Sequence, residues 1–191
     1  YKASPSTHQK ICITEKTLLL RCNVLVNGTA CPACQLINPF FPPFNITSSV
    51  YDNFTGYLYV VNCKLGLIYV VNPYNFTFVC CIPVEGEQPK SIAVNLTNGY
   101  LYIAEGSGEI CIVNPFTKET VSSIYVGGSP CRLTLGKSGY IYIINQGENC
   151  ITIADQSGVV GKVKANYHPI SMVYDPVSGY VLATTGHCIL V

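Results

Sequence analysis

The sequence predicts an all-β fold, a small β-propeller of about four four-stranded blades, on three observations. The first is a repeat: GYLYVVN at 56–62 returns as GYLYIAE at 99–105, as GYIYIIN at 139–145 and more loosely as GYVLATT at 179–185. Their leading glycines stand 43, 40 and 40 residues apart, the length of a four-stranded blade and too long for a leucine-rich repeat. The second is that each phrase is apolar on both faces. Tyr57 and Tyr59, Tyr100 and Tyr102, and Tyr140 and Tyr142 share one side; Leu58 and Val60, Leu101 and Ile103, and Ile141 and Ile143 share the other, because side chains alternate along a strand. Such strands require cover on both sides, which sheets stacked around an axis provide. The third is composition: Tyr, Ile and Val dominate, Gly and Pro interrupt often, and no segment keeps a 3.6-residue period, so helices are excluded.

The elements follow in order within each unit. An inner strand comes first, as SSVYD (48–52), SIAVN (91–95), RLTLG (132–136) and SMVYD (171–175), preceded in three units by Pro89, Pro130 and Pro169. A tight turn follows, NFTG, LTNG, GKSG or PVSG, whose Asn, Ser and Gly supply the backbone freedom a hairpin needs. The repeated phrase is the second strand. LIYVVN, EICIVN, CITIAD and the terminal CILV form the third, and FTFVCCI, ETVSSIYV and VVGKVKA the fourth. This divides the chain into N-terminal strands with a Pro- and Cys-rich connection at 1–47 and propeller repeats at 48–191, in a single domain. At 191 residues it buries roughly 70% of its unfolded surface.

Within 1–47, KICIT and LLLRCNVLV read as a third and a fourth strand without a first and second, while the fourth unit stops after its third strand at Val191. Pairing them with the last blade removes two exposed sheet edges. Since KICIT and CILV both read as third strands, the last blade either gains a fifth strand or a terminal strand is left over. A strand left over completes the blade of a neighbouring subunit, and a head-to-tail contact that does not close gives a filament; a terminus that merely covers the ring is the alternative.

Charged residues make up 11% of the chain against about 25% in an ordinary soluble domain, and mean hydropathy is positive. Solvation therefore rests on hydroxyls, amides or something attached. The 11 Lys and Arg balance 10 Asp and Glu without a basic cluster, which excludes the electrostatic footprint of a nucleic-acid binder. No run reaches the 18 or so apolar residues of a membrane span. The chain opens at Tyr1, from which removal of a leader is expected. Eleven cysteines do not suit a reducing cytosol. Five sequons, at Asn27, Asn45, Asn53, Asn75 and Asn95, all end in Thr, and Asn53, Asn75 and Asn95 fall where the chain should turn, as covalent N-glycans require. The expected location is extracellular, at the cell surface.

YVVN at 59–62, YIIN at 142–145 and VNPFTKETVSSIYVGGSP at 113–130 resemble the YVTN family of β-propeller repeats, found in surface-layer and secreted proteins of archaea and some bacteria. The resemblance covers 44–191; YIAE at 102–105 loses the final Asn, and VLATT at 181–185 loses most of the phrase. It implies a structural or binding role outside the cytoplasm and carries over no catalytic residue.

No catalytic constellation stands out, and the expectation is a protein that is not an enzyme and has no cofactor. His8, His168 and His187 fall in a tail or in turns, and Glu85, Glu87, Glu105, Glu109, Glu119, Glu148, Asp155 and Asp175 are scattered without a paired motif. Cys31-Pro-Ala-Cys34 lacks the second pair or the histidines of a zinc site and the following His of a haem site, so no metal site is expected. All eleven cysteines are disulfide candidates: Cys12, Cys22, Cys31, Cys34, Cys63, Cys80, Cys81, Cys111, Cys131, Cys150 and Cys188. Adjacent Cys80 and Cys81 point to opposite faces, and the odd total leaves one thiol buried and free, or bonded to another subunit. Two functions follow: a structural glycoprotein that polymerises with itself through its terminal strands, or a monomeric adhesion or ligand-binding module.

Overall fold

The computed structural model describes residues 45–191 apart from 76 and 87, with the backbone of 12–14, 17–19, 25–26 and 29–30. Every regular element among these residues is a strand. Strand β1 (Cys12–Thr14) pairs with β2 (Thr17–Leu19), and β3 (Leu25–Val26) with β4 (Thr29–Ala30). Blade one holds β5 (Ile46–Asp52), β6 (Tyr57–Asn62), β7 (Leu67–Asn72) and β8 (Thr77–Pro83). Blade two holds β9 (Pro89–Val94), β10 (Leu101–Glu105), β11 (Glu109–Asn114) and β12 (Glu119–Tyr125). Blade three holds β13 (Pro130–Leu135), β14 (Ile141–Asn145), β15 (Cys150–Asp155) and β16 (Gly158–Lys164). Blade four holds β17 (Pro169–Tyr174), β18 (Val181–Thr185) and β19 (Ile189–Leu190). All are antiparallel meanders in chain order, and β5 lies against β9, β9 against β13 and β13 against β17. The architecture is the expected four-bladed β-propeller.

The turn after each inner strand shows why the phrase begins with glycine. Gly56, Gly99, Gly139 and Gly179 have φ of 71°, 74°, 83° and 78°, a left-handed conformation that costs other residues about 1–2 kcal/mol. The inner strand is also irregular at one equivalent place in every blade, with register shifts opposite the last residue of the phrase. Pro89, Pro130 and Pro169 sit at these bulges, where the missing N–H is tolerated.

The expected two-sided burial is met where a neighbour exists. One cluster joins Tyr59, Val61, Ile68, Val70 and Ile82 of blade one to Ile92, Val94, Leu101, Ile103 and Cys111 of blade two. A second joins Tyr102, Ala104, Ile110 and Ile112 of blade two to Leu133, Ile141, Ile143 and Ala154 of blade three. Each fully buried Ile in these layers contributes roughly 1.5–3 kcal/mol. On the other face of blade one, Val60, Tyr69 and Val71 are buried too. Blade four joins blade three through the stacked rings of Tyr142 and Tyr174, 6.4 Å apart, and a 2.7 Å bond from Lys137 Nζ to the Pro176 carbonyl.

Among the described residues the fourth sheet holds three strands, and β1 and β2, expected to complete the last blade or that of a neighbouring subunit, form a separate pair.

Candidate functional site

The repeat places isoleucine at one register position in all four blades. Ile68 pairs with Val61, Ile110 with Ala104, Ile151 with Ile144 and Ile189 with Thr184. Ile68 packs with residues of blade two and Ile110 with residues of blade three. Ile68 and Ile110 are 0% exposed and Ile151 7%, but Ile189 is 66% exposed. The chemistry of the position is constant; only the cover differs.

The rest of that face of blade four behaves alike. Val173 and Tyr180 are exposed, whereas their counterparts Ala93 and Tyr100 in blade two pack against the second core cluster. Val191 is exposed as well. The turn at the rim is held firmly: Asp175 accepts hydrogen bonds from Ser178 Oγ at 2.6 Å, Val177 N at 2.9 Å and Ser178 N at 3.3 Å. The Ser178 hydroxyl and the Val177 and Ser178 amides keep the Asp175 carboxyl below its ordinary range, with Lys137 adding to the effect. This turn presents Val177 at 94% exposure. Strand β19 pairs with β18 on one side only among the described strands, so a row of backbone donors and acceptors borders the apolar face. An apolar sheet face beside an open edge is the surface that accepts another strand.

The other residues singled out in the sequence fall as follows. Asn45, Asn53 and Asn75 are exposed and Asn95 is half-buried, with the Thr77 hydroxyl and N–H bonding Asn75 Oδ1 at 2.8 and 3.2 Å and Thr97 N bonding Asn95 Oδ1 at 2.8 Å. Cys63, Cys80, Cys81, Cys111, Cys131, Cys150 and Cys188 form no disulfide with one another among the described residues. Cys80 packs against the first core cluster while Cys81 is exposed, the opposed placement expected of neighbours on a strand. Asn27, His8, Glu87 and the side chains of Cys12, Cys22, Cys31 and Cys34 lie outside the described residues. His168 and His187, far apart in sequence, line one cleft of about 300 Å³ with Asn149, Asn166, Tyr167 and Ile170, and the Tyr167 and His187 rings lie 4.5 Å apart. Glu119, Asp155 and Asp175 lie on separate turns or strand ends; Glu148 pairs instead with Lys162, whose ammonium holds its carboxyl below the ordinary range. Glu105 and Glu109 are not scattered: they end β10 and begin β11, on one hairpin with Cys111. Spacing alone did not reveal this, although a hairpin turn between 105 and 109 would have put them opposite each other.

No protein-family model and no curated protein matches the chain. Among solved structures it is similar to the hydrazine synthase of Kuenenia stuttgartiensis, with 19% identity over 75% of this chain and 43% of that one and a TM-score of 0.65. A functionally unknown protein from Desulfotomaculum acetoxidans DSM 771 is similar at 15% identity, over 75% and 50% of the two chains, with a TM-score of 0.62. A catalytically inactive virginiamycin B lyase from Staphylococcus aureus with quinupristin is similar at 13% identity, over 73% and 48%, with a TM-score of 0.63. The chain thus spans half or less of the length of these structures, and at such identities the likeness shows the fold alone.

Proposed function

We propose that the protein is a non-catalytic extracellular structural glycoprotein, a β-propeller building block that polymerises at a cell surface by offering its fourth blade to a second copy of the chain. The observation that carries this reading is Ile189, 66% exposed at a position buried in the other three blades. The occupant that fits is the pair of N-terminal strands of the next copy, which would extend the three-stranded sheet from β19 and cover its face. Low charge, the exposed sequons and the likeness of the phrase to YVTN repeats of archaeal and bacterial surface-layer proteins support the location. A head-to-tail contact of this kind need not close, and so builds a filament or lattice.

Negative-stain microscopy of the full chain tests it: rods or lattices are expected, and their loss on deletion of residues 1–17. Isolated particles from the full chain, or polymers that survive the deletion, overturn it. The cleft lined by Tyr167, His168 and His187 favours a second reading, a monomeric adhesion or ligand-binding module. Isolated particles that retain a glycan or peptide, and release it on Tyr167→Ala, decide for that reading.

A further inference from the structure

The repeat provides its own control for the last residue of the phrase, where Asn62, Glu105, Asn145 and Thr185 stand at equivalent positions. Three of them satisfy their polar atoms. Asn62 Oδ1 accepts from the Lys64 and Leu65 amides, both at 3.1 Å, and its Nδ2 donates to the Tyr69 hydroxyl at 3.3 Å. Asn145 accepts from Ser129 N at 2.8 Å and donates to the Gly127 carbonyl at 2.9 Å. Thr185 Oγ1 accepts from the His187 and Cys188 amides at 3.2 and 3.0 Å. Glu105 differs: it is 0% exposed, and neither carboxylate oxygen has a hydrogen-bond partner among the described residues. A buried carboxylate in that condition is strongly unfavourable and needs a proton or a cation beside it.

The register shows where it is aimed. Ala104 pairs with Ile110, so Glu105 faces Glu109 across the hairpin, and Cys111, two residues further, shares that face. A carboxylate oxygen of each glutamate and the Cys111 sulfur all lie within 4.8 Å of one another. Cys111 is buried and Glu109 half-buried, so the cluster has an inner wall and an entrance. Gly86 forms its floor, since a methyl group built there would overlap the Glu105 carboxylate. Burial pushes the Glu105 carboxyl above its ordinary range, and the nearby Cys111 thiol, Ser107 and the Gly86 backbone offset this only in part, none at hydrogen-bonding geometry. Burial first, and then Glu105, Glu109 and Glu85, also push the Cys111 thiol up. Three groups that repel one another's negative charge converge on one point.

We propose that Glu105, Glu109 and Cys111 form a binding site for one divalent cation of the zinc class, held by two carboxylates and a thiolate. Bonds of about 2.3 Å to sulfur and 2.0–2.2 Å to oxygen place neighbouring ligand atoms roughly 3.5 Å apart, so side-chain rotation of about an ångström closes the set. The thiolate selects this class over calcium or magnesium, which take shells of oxygen alone. A water fills the fourth position. On binding, the Cys111 S–H releases its proton to solvent as the sulfur–metal bond forms, any proton on Glu105 leaves likewise, and no electron is transferred. The cation staples the β10–β11 hairpin at the end nearest the connector from blade one.

The test uses the full chain carrying Cys31→Ser and Cys34→Ser, so that the CxxC pair contributes no thiolate, titrated with Co²⁺ alone and with Zn²⁺ alone. Expected are a thiolate-to-cobalt charge-transfer band at one equivalent, its displacement by Zn²⁺, and a rise in Tm of about 5–10 °C at a hundredfold excess of Zn²⁺ over Kd. Cys111→Ser should abolish the band, and Glu105→Gln should weaken Co²⁺ binding at least tenfold. Glu109→Gln, at a half-buried position, gives the same weakening in a protein that folds whether or not the two core variants do. The proposal is overturned by absence of both band and thermal shift in the parent, by their persistence in Cys111→Ser or Glu109→Gln, or by peptide mapping that finds Cys111 in a disulfide. It is equally overturned if Glu105→Gln stabilises the protein and the parent ignores metal, which would make Glu105 a neutral, protonated side chain.

Discussion

Truncating the four equivalent isoleucines one at a time measures the cover on each blade without changing the chemistry removed. Ile68 and Ile110 are fully buried and Ile151 nearly so. Ile→Ala at such a site removes three buried carbons and leaves a cavity, at about 2–5 kcal/mol. For a chain of 191 residues this lowers Tm by about 5–15 °C. Ile189, two-thirds exposed, has little transfer energy to lose, and its truncation should stay within about 0.5 kcal/mol in the dilute, dispersed chain. If a second copy covers the face as proposed, the same variant in assembled material should approach the cost of the other three. Denaturant and thermal melts of all four variants, dispersed and assembled, give the comparison. An Ile189→Ala cost equal to that of Ile110→Ala in the dispersed chain refutes the reasoning, since it means the face is already covered within one molecule.

Further outcomes follow from the same geometry. Asn145→Ala removes the acceptor of Ser129 N and the donor to the Gly127 carbonyl, and chemical denaturation should show a loss of about 2–3 kcal/mol. Gly99→Ala, at φ 74°, should cost about 1–2 kcal/mol by the same measurement; no loss would mean the turn relaxes. Ser178→Ala should raise the Asp175 carboxyl toward its ordinary value, read by carbon-13 NMR titration. Because the folded value is depressed, the contribution of Asp175 to stability is complete above the unfolded carboxylate pKa and lost as pH falls through the folded one; an unchanged midpoint in the variant removes Ser178 as the cause. Intact-mass analysis of material from the native host, before and after enzymatic removal of N-glycans, should show loss at Asn53 and Asn75, both exposed.

Much of the fold was legible because a propeller blade is a local object. Its four strands pair in chain order, so the phrase, its glycine and the proline before it each report a turn, an edge or a bulge within one unit of about 40 residues. Pro89, Pro130 and Pro169 fit the bulges, where a residue that cannot donate to the ladder is tolerated, although blade one has the same irregularity at Ile46 without proline. The approach of Tyr167 to His187 was not legible, because it depends on how the connector before the fourth blade lies against the turn between β18 and β19.

Two further features escaped the pattern for a shared reason. The repeat states which residues are made to be covered, and it does so identically for Ile68, Ile110, Ile151 and Ile189; it contains nothing about whether a neighbour is there to cover them. Among the described residues nothing lies over that face of the fourth blade, and there an interior residue becomes a surface one. Glu105 is the converse case. Its neighbours are present, and the departure from Asn is plain in the sequence, but its meaning depends on the hairpin register that sets it opposite Glu109 and on the strand parity that brings Cys111 to the same side. A departure from a repeat becomes informative once the repeat has fixed what should surround it. In this chain Asn62, Asn145 and Thr185 are satisfied by hydrogen bonds at that place, and a carboxylate that stands there without them requires another source of positive charge.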